Sequence, residues 1–254
     1  MERIPHPAGG HLALDADRRA GDEVWVFVHG FGSDRSGAKA TAIRTAAGTV
    51  GATFVAFDAR GHGASSRAPE DLTLTGFLED LDVVADAFGP RGKRLVLIGS
   101  SLGSLAVAWW SATRAGRSTA NVLIAPAFGF MTRFLEEIGP ERAAAWEREG
   151  VLRYRNEWLD TPLRHALVAD AARHDEARLA RIYATDTRIL HGLVDDRVPW
   201  QVSVEFAERC RHRPLDVVLL GGGDHRLGDR VDDLARWTLD FVADRRRAAP
   251  SPRA

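Results

Sequence analysis

The stretch Gly99-Ser100-Ser101-Leu102-Gly103 decides the fold of this chain. The mostly apolar run at residues 94–98 before it has the composition of a buried strand, and residues 104–109 after it have that of a helix. A serine at such a strand-to-helix corner is held in a strained backbone conformation, and glycines two positions away on either side remove the collisions of a sharp turn. The stretch therefore predicts a nucleophile elbow that presents the Ser101 hydroxyl above a sheet.

Short β-type segments alternate with helical segments along the whole chain. The predicted strands lie at residues 11–14, 24–28, 53–57, 95–98, 122–124, 188–190 and 217–220, and the predicted helices at residues 36–49, 75–88, 101–114, 202–211 and 229–243. Several of the strand segments are continuously apolar, which is typical of strands covered on both faces. The alternation predicts a single α/β domain over residues 1–254, with a mostly parallel sheet flanked by helices. Functional groups are then expected at the carboxyl ends of the strands.

Residues 128–186 interrupt this alternation. They are rich in arginine, glutamate and aromatic residues, and they are mostly helical in character. Their place between two predicted strands indicates a small helical cap over the active site, and a crossover helix pair beside the sheet is the alternative. Residues 245–254 carry few apolar side chains and are predicted to form a disordered tail.

The composition indicates a globular protein without a strong charge preference. The 254 residues are 45% hydrophobic and carry a formal net charge of −1, so the chain can bury one large core and favours neither nucleic acid nor an acidic membrane surface. Its one cysteine, Cys210, excludes an internal disulfide and fits a reducing compartment. The sequence has no apolar run long enough to span a bilayer and no signal-peptide pattern at its start. These features predict a cytoplasmic protein and leave the oligomeric state open.

The chain supplies partners for a serine nucleophile downstream of the elbow. A serine hydroxyl needs a general base, and the base needs a carboxylate that orients it. Asp195 and Asp196 follow a predicted strand, and His225 follows the last predicted strand in a glycine-rich loop. The order serine, aspartate, histidine is that of enzymes with a nucleophile elbow. We therefore predict a catalytic triad of Ser101, His225 and one of the two aspartates.

An oxyanion that develops during acyl transfer needs fixed backbone donors. The N–H group of Leu102, directly after the nucleophile, is one predicted donor. The second is predicted at Phe31, in the loop that follows the strand at residues 24–28. The spacing of the histidines gives no metal-binding pattern, so neither a metal nor a cofactor is expected. Three other histidines that follow strands are predicted to organise loops and not to catalyse: His29, His62 and His191.

The chain resembles the serine α/β-hydrolase superfamily over residues 22–243, through five motifs in the same order: HGFGSD at 29–34, DARGHGAS at 58–65, GSSLGS at 99–104, HGLVDDRVPW at 191–200 and GDHR at 223–226. Within the superfamily, these motifs are similar to those of small-capped carboxylesterases and the mitochondrial palmitoyl-protein thioesterase group. The resemblance implies the α/β-hydrolase fold, with Asp195 preferred to Asp196 as the triad acid and Phe31 and Leu102 as oxyanion donors. Ser104 departs from the pattern, since many relatives carry glycine there.

The resemblance implies hydrolysis of a small-molecule carboxylic ester or acyl thioester through an acyl-enzyme, without a cofactor. Carbon–carbon bond hydrolases, aminopeptidases and lactonases use the same triad and are alternatives. A non-catalytic ligand receptor on the same fold is a further alternative, although such proteins usually lack a triad member or an elbow glycine. Dehalogenases and epoxide hydrolases of this fold use an aspartate nucleophile, and Ser101 argues against them.

Overall fold

A computed structural model describes residues 1–90, 92–157, 159–212 and 214–248. Eight strands form the main sheet: β1 (Glu2–Pro5), β2 (His11–Asp17), β3 (Glu23–Val28), β4 (Thr53–Phe57), β5 (Arg94–Ser100), β6 (Ala120–Ile124), β9 (Thr187–Gly192) and β10 (Leu215–Leu220). Their spatial order is β1-β2-β4-β3-β5-β6-β9-β10. Strand β2 pairs antiparallel with β1 and β4, and the neighbouring pairs from β4 to β10 are parallel. The predicted fold class, a mostly parallel sheet, is confirmed.

Eight α-helices accompany the sheet within the described residues: α1 (Ala38–Thr49), α2 (Leu74–Phe88), α3 (Leu102–Thr113), α4 (Phe130–Glu149), α5 (Ala166–Ala171), α6 (Glu176–Ile182), α7 (Gln201–Arg209) and α8 (Val231–Ala248). Helix α2 begins where the Thr73 hydroxyl accepts a hydrogen bond from the Gly76 N–H at 3.0 Å. Its apolar side chains recur at helical spacing, so that Phe77 and Leu81 are buried against the sheet.

The sheet separates two apolar layers, because successive side chains of a strand point to opposite faces. On one face, Ile43 of α1 and Phe241 of α8 belong to the same buried cluster as Trp25 of β3. On the other face, helices α2 and α3 pack against the alternate residues of β3, including Val26. Helices thus cover both faces, and the loops at the carboxyl ends of the parallel strands remain available for a site.

The chain between β6 and β9 forms an insertion that contains more strand than the sequence analysis predicts. Helix α4 is kinked at Gly139, which has φ 77°, directly before Pro140. It is followed by an antiparallel hairpin of β7 (Val151–Arg155) and β8 (Asp160–Arg164), then by the short helices α5 and α6. The signal for the hairpin was present: in β7 buried Leu152 and Tyr154 alternate with exposed arginines, which is a period of two.

Two further differences concern the ends of the chain. Strand β1 is not among the predicted strands, because it is only four residues long. The predicted tail at residues 245–254 is wrong for its first part, since α8 continues through Ala248. The Arg246 guanidinium donates from Nε to Oε2 of buried Glu23 at 2.9 Å, which anchors this last turn. Residues 249–254 lie outside the described residues. None of the helices in the described ranges has the length and apolar character needed to cross a membrane.

Candidate active site

Ser101 occupies the corner between β5 and α3. Its backbone has φ 53° and ψ −116°, a conformation that side-chain-bearing residues rarely adopt. The two flanking glycines permit this corner. A Cβ on Gly103 would lie 2.3 Å from the Val28 carbonyl oxygen, and one on Gly99 would lie 2.5 Å from the Ser104 Cα. The elbow therefore requires both glycines for close backbone approach, as the sequence pattern predicts.

The structure brings Ser101, His225 and Asp195 into one hydrogen-bonded chain. The His225 Nε2 lies 3.0 Å from the Ser101 Oγ, and its Nδ1 lies 2.8 Å from the Asp195 Oδ2. Because Nδ1 faces a carboxylate, it carries the ring proton, and Nε2 is left to accept the serine proton. The residues come from the ends of β5, β9 and β10, so the sheet aligns three distant parts of the sequence.

Burial and hydrogen bonding distinguish the two candidate aspartates. The Asp195 side chain has 0% exposure, whereas that of Asp196 is 73% exposed. The second oxygen of Asp195, Oδ1, accepts from the N–H groups of Arg197 at 2.9 Å and Val198 at 2.7 Å. Burial alone would raise the pKa of Asp195, but hydrogen bonds from His191 and His225 outweigh it and hold that pKa well below its usual range. Asp195 is thus a fixed, ionised acceptor for the imidazole.

Two backbone N–H groups are available beside the serine hydroxyl. Leu102 is the first residue of α3, and Phe31 lies in the loop after β3; both residues line the same cavity as Ser101. Within the described ranges, neither N–H group has a hydrogen-bond acceptor. Gly30 packs directly on the elbow, since a Cβ there would lie 3.1 Å from the Ser101 Cβ. The two free donors and their proximity to Ser101 fit an oxyanion hole.

Two buried histidines hold the loop that carries Phe31. The His62 Nε2 accepts from the Gly32 N–H at 3.3 Å, and the His29 Nε2 accepts from the Ala59 N–H at 2.9 Å. Burial, together with the neighbouring His62, lowers the pKa of His29 to about 4, and burial also lowers the pKa of His62. Both rings are therefore neutral at pH 7 and able to accept these bonds. Their loop-organising role agrees with the prediction from the sequence.

His191 contacts Asp195, and the sequence analysis missed this contact. Its Nε2 lies 3.1 Å from the Asp195 Oδ2 and 3.0 Å from the Val198 carbonyl oxygen, and its Nδ1 lies 2.7 Å from the Ser203 Oγ. Because Nε2 faces two acceptors it carries the proton, and Nδ1 accepts from the Ser203 hydroxyl. Ser203 and His191 are fully buried. The pair thus fixes the orientation of the Asp195 carboxylate, and His191 is a positioning residue.

We expect His191→Leu to lower kcat by about 10- to 100-fold, because a small displacement of Asp195 misaligns His225. Without the N–H of His191, the Asp195 carboxylate would interact more strongly with His225 and favour its protonated form. The acidic limb of the kcat/KM profile should therefore move to higher pH. Steady-state kinetics across pH 5–9 measures both effects. Ser203→Ala is the matched milder change, with a smaller loss expected. An unchanged pH profile in His191→Leu would show that His191 does not act through Asp195.

Ser104, the departure from the family pattern, joins the elbow helix to the sheet. Its hydroxyl donates to the Ile124 carbonyl oxygen and accepts from the Ile124 N–H, both at 3.0 Å. The side chain is fully buried. The Ser104 side chain therefore holds α3 in position behind Ser101, and its hydroxyl bonds to the Ile124 backbone and not to the Ser101 hydroxyl. Cys210 is buried, and its Sγ lies 3.7 Å from the Tyr183 carbonyl oxygen.

A cavity of about 590 Å³ opens over Ser101. It is lined by the elbow, by His225, by the loop of Phe31 and by residues of the insertion that include Phe130 and Tyr154. A second cavity of about 280 Å³ adjoins it, since Leu102 and Phe130 line both. The second cavity is mostly apolar, with lining side chains that include Leu74, Leu105, Met131 and Leu167.

A parallel sheet with an elbow serine, and an acid and a base on later strands, defines an α/β-hydrolase. The chain belongs to the Alpha/beta hydrolase family, which residues 25–251 match. Because it belongs to this family, the protein is a hydrolase.

Among individual proteins, the chain is similar to mitochondrial palmitoyl-protein thioesterase ABHD10. It is 29% identical to the Bos taurus protein over 227 residues, covering 87% of this chain and 72% of that one. It is 27% identical to the Homo sapiens protein over 226 residues, with the same coverage of 87% and 72%. The solved structure of alpha/beta hydrolase domain-containing protein 10 from mouse superposes with a TM-score of 0.81 at 24% identity, over 96% of each chain. Est1E from Butyrivibrio proteoclasticus, with ferulic acid bound, has a TM-score of 0.82 at 20% identity, over 96% of this chain and 99% of that one.

Proposed function

We propose that this protein hydrolyses carboxylic esters or acyl thioesters through an acyl-enzyme on Ser101. The observation that carries the proposal is the hydrogen-bonded chain from Asp195 through His225 to Ser101, at 2.8 and 3.0 Å, beside two free backbone donors. The family and the names of the thioesterase relatives support this chemistry. Binding a ligand without turnover does not require an aligned acid, base and hydroxyl, so the geometry favours an enzyme over a ligand receptor.

The proposed reaction has two stages. His225 takes the Ser101 proton as the hydroxyl attacks the acyl carbon, and the N–H groups of Phe31 and Leu102 bind the resulting oxyanion. The imidazolium, stabilised by Asp195, then gives its proton to the leaving alcohol or thiol, and an acyl-Ser101 ester remains. Water then attacks the acyl carbon as it loses a proton to His225. His225 returns that proton to the Ser101 Oγ as the acyl–Oγ bond breaks, and the acid is released. Apart from the substrate and water, every group in these steps belongs to the chain itself.

We propose that the insertion at residues 128–186 acts as a small cap that shapes the substrate site. Phe130, Phe134, Tyr154 and Leu159 place apolar surface in the cavity wall opposite the elbow. The second, mostly apolar cavity continues from this wall behind Leu102 and Phe130. An acyl chain that starts at Ser101 has apolar surface along this route, which would stabilise it by burial.

The test is the hydrolysis of p-nitrophenyl esters with acyl chains of increasing length, by wild type and by Ala171→Phe. Ala171 lines only the second cavity, so the bulky ring should fill that cavity and leave the elbow untouched. We expect the optimum of kcat/KM to move to a shorter chain in the variant, with the shortest ester hydrolysed as in wild type. An unchanged optimum would place the acyl chain elsewhere, and absence of turnover for every ester would contradict esterase activity.

We propose a cytoplasmic location, on the basis of the cysteine content. The sequence has one cysteine, Cys210, which is buried and has no second cysteine with which to form an internal disulfide; this suits a reducing compartment. The mammalian relatives are named as mitochondrial, so imaging of a tagged protein in its own cell is the direct check.

A further inference from the structure

The hairpin of β7 and β8 reaches from the insertion to the loop that carries Phe31. Asn156 and Leu159 lie between its two strands and form two hydrogen bonds with each other. The Asn156 N–H donates to the Leu159 carbonyl oxygen at 2.8 Å, and the Leu159 N–H donates to the Asn156 Oδ1 at 2.8 Å. These bonds fix the backbone of Leu159 relative to the hairpin.

The Leu159 side chain packs on Gly32, the residue directly after Phe31. A Cβ on Gly32 would overlap the Leu159 Cδ2 and would lie 2.7 Å from its Cδ1 and 2.8 Å from its Cγ. The isopropyl group therefore occupies the space that a side chain at position 32 would need. Leu159 and Phe31 are both partly buried against the same core cluster. The insertion thus contacts directly the loop that supplies one of the two proposed oxyanion donors.

Phe31 lies in a tight turn between two glycines. The Ser33 N–H donates to the Gly30 carbonyl oxygen at 3.2 Å, and Gly32 has φ 65°, a value that favours glycine at the third position of such a turn. The bond between Ser33 and Gly30 sets the shape of the turn. The position of the turn over Ser101 depends on the groups that pack against it.

Two groups outside this turn contact Gly32. The His62 Nε2 accepts from its N–H at 3.3 Å, which is long for a hydrogen bond, and the Leu159 side chain covers its Cα. The hairpin makes a second contact through Tyr154, whose ring centroid lies 6.4 Å from that of Phe31. The hairpin therefore contacts two consecutive residues of the turn and restricts its movement.

We propose that Leu159 is a positioning residue for the oxyanion hole. By packing on Gly32 it holds the Phe31 N–H where the oxyanion forms, so the insertion contributes to the chemical step as well as to the wall of the substrate site. This inference rests on the proposed hydrolysis at Ser101. A backbone donor stabilises the oxyanion only at hydrogen-bond distance, so a small displacement of the turn weakens transition-state binding more than substrate binding.

The test uses two inhibitors that share one alkyl chain, 2-decanone and 1,1,1-trifluoro-2-decanone. Ser101 Oγ adds to the activated carbonyl carbon of the trifluoromethyl ketone as His225 takes the serine proton, and the carbonyl oxygen becomes an oxyanion. The methyl ketone binds without this addition. A contact between Leu159 and the alkyl chain affects both inhibitors equally, whereas a role in the oxyanion hole affects the trifluoromethyl ketone alone.

We expect Leu159→Ala to weaken inhibition by the trifluoromethyl ketone by about tenfold and to leave that by 2-decanone within about twofold. Leu159→Met, which nearly conserves the volume, should retain most of the wild-type preference. Val151→Ala is the control, because it shortens an exposed aliphatic side chain of the same hairpin that lies, among the described residues, outside the lining of both cavities. It should leave the preference unchanged.

A double-mutant cycle tests the contact itself. Gly32→Ala should lower kcat/KM by a larger factor in wild type than in Leu159→Ala, because truncation of Leu159 makes room for the new Cβ. The positive φ of Gly32 strains an alanine in both backgrounds, so this effect cancels from the comparison. Equal factors in the two backgrounds would contradict the contact.

The outcomes separate this inference from the proposed function. If Leu159→Ala weakens both ketones equally or weakens neither, Leu159 does not act on the oxyanion hole and the inference alone is overturned. The same holds if wild type does not prefer the trifluoromethyl ketone although a fluorophosphonate labels Ser101. If wild type shows no preference, no labelling and no ester turnover, the proposed hydrolysis itself fails and the inference with it.

Discussion

Ser101→Ala should reduce kcat/KM by about 10⁴- to 10⁶-fold, to the level that the remaining site sustains without a nucleophile. The fold should be unaffected, because the Ser101 side chain makes no capping bond to α3. The substitution removes the hydrogen bond between the Ser101 hydroxyl and His225. Circular dichroism and thermal unfolding check that the variant is folded. Hydrolysis of the p-nitrophenyl ester that wild type prefers measures the loss.

Members of the proposed triad act as a unit, so the losses of activity from single substitutions should not add. His225→Ala alone should cost about as much as Ser101→Ala, and the double variant little more than either. In a second readout, a fluorophosphonate should label wild type on Ser101, and Ser101→Ala should not be labelled. Turnover that survives Ser101→Ala, with the variant folded, would mean that another group attacks the substrate. Losses that add in the double variant would mean that Ser101 and His225 act in different steps.

The features of the site that the sequence could predict are those set by local geometry. The elbow glycines, the serine and the donor at Leu102 lie within five consecutive positions, where a strand must turn directly into a helix. His225 could be predicted because its loop follows a strand and therefore reaches the same edge of the sheet. Each of these arguments needs only neighbours in the sequence and the rule that parallel strands align their carboxyl ends.

The remaining features depend on contacts between distant segments. From the sequence, Asp195 and Asp196 are adjacent loop carboxylates, and only packing buries one and exposes the other. The bond from His191 to Asp195 needs the return of the chain through Val198 and the placement of Ser203 on α7. No local pattern encodes these relations.

Asp195→Asn should lower kcat by about 10⁴-fold, because an amide cannot replace this carboxylate. Oδ1 accepts from two backbone N–H groups, those of Arg197 and Val198, and Oδ2 faces the N–H groups of His191 and His225. Every contact of the carboxylate is therefore a donor. The NH₂ of an asparagine must face a pair of donors at either position. If it faces His225, the imidazole must move its proton to Nε2, and it can no longer accept the Ser101 proton.

Asp196→Asn is the matched control, with the same chemical change one residue away on an exposed side chain, and it should leave kcat within about twofold of the wild-type value.

The two variants should also differ in how their stability depends on pH. The pKa of Asp195 is lower in the folded protein than in the unfolded chain, so the ionised carboxylate stabilises the fold above about pH 4. That contribution is lost as the pH falls toward the folded-state pKa. The free energy of unfolding should therefore drop less between pH 6 and pH 3 in Asp195→Asn than in Asp196→Asn. A larger loss of kcat in Asp196→Asn than in Asp195→Asn, or a smaller drop in its free energy of unfolding between pH 6 and pH 3, would make Asp196 the triad acid.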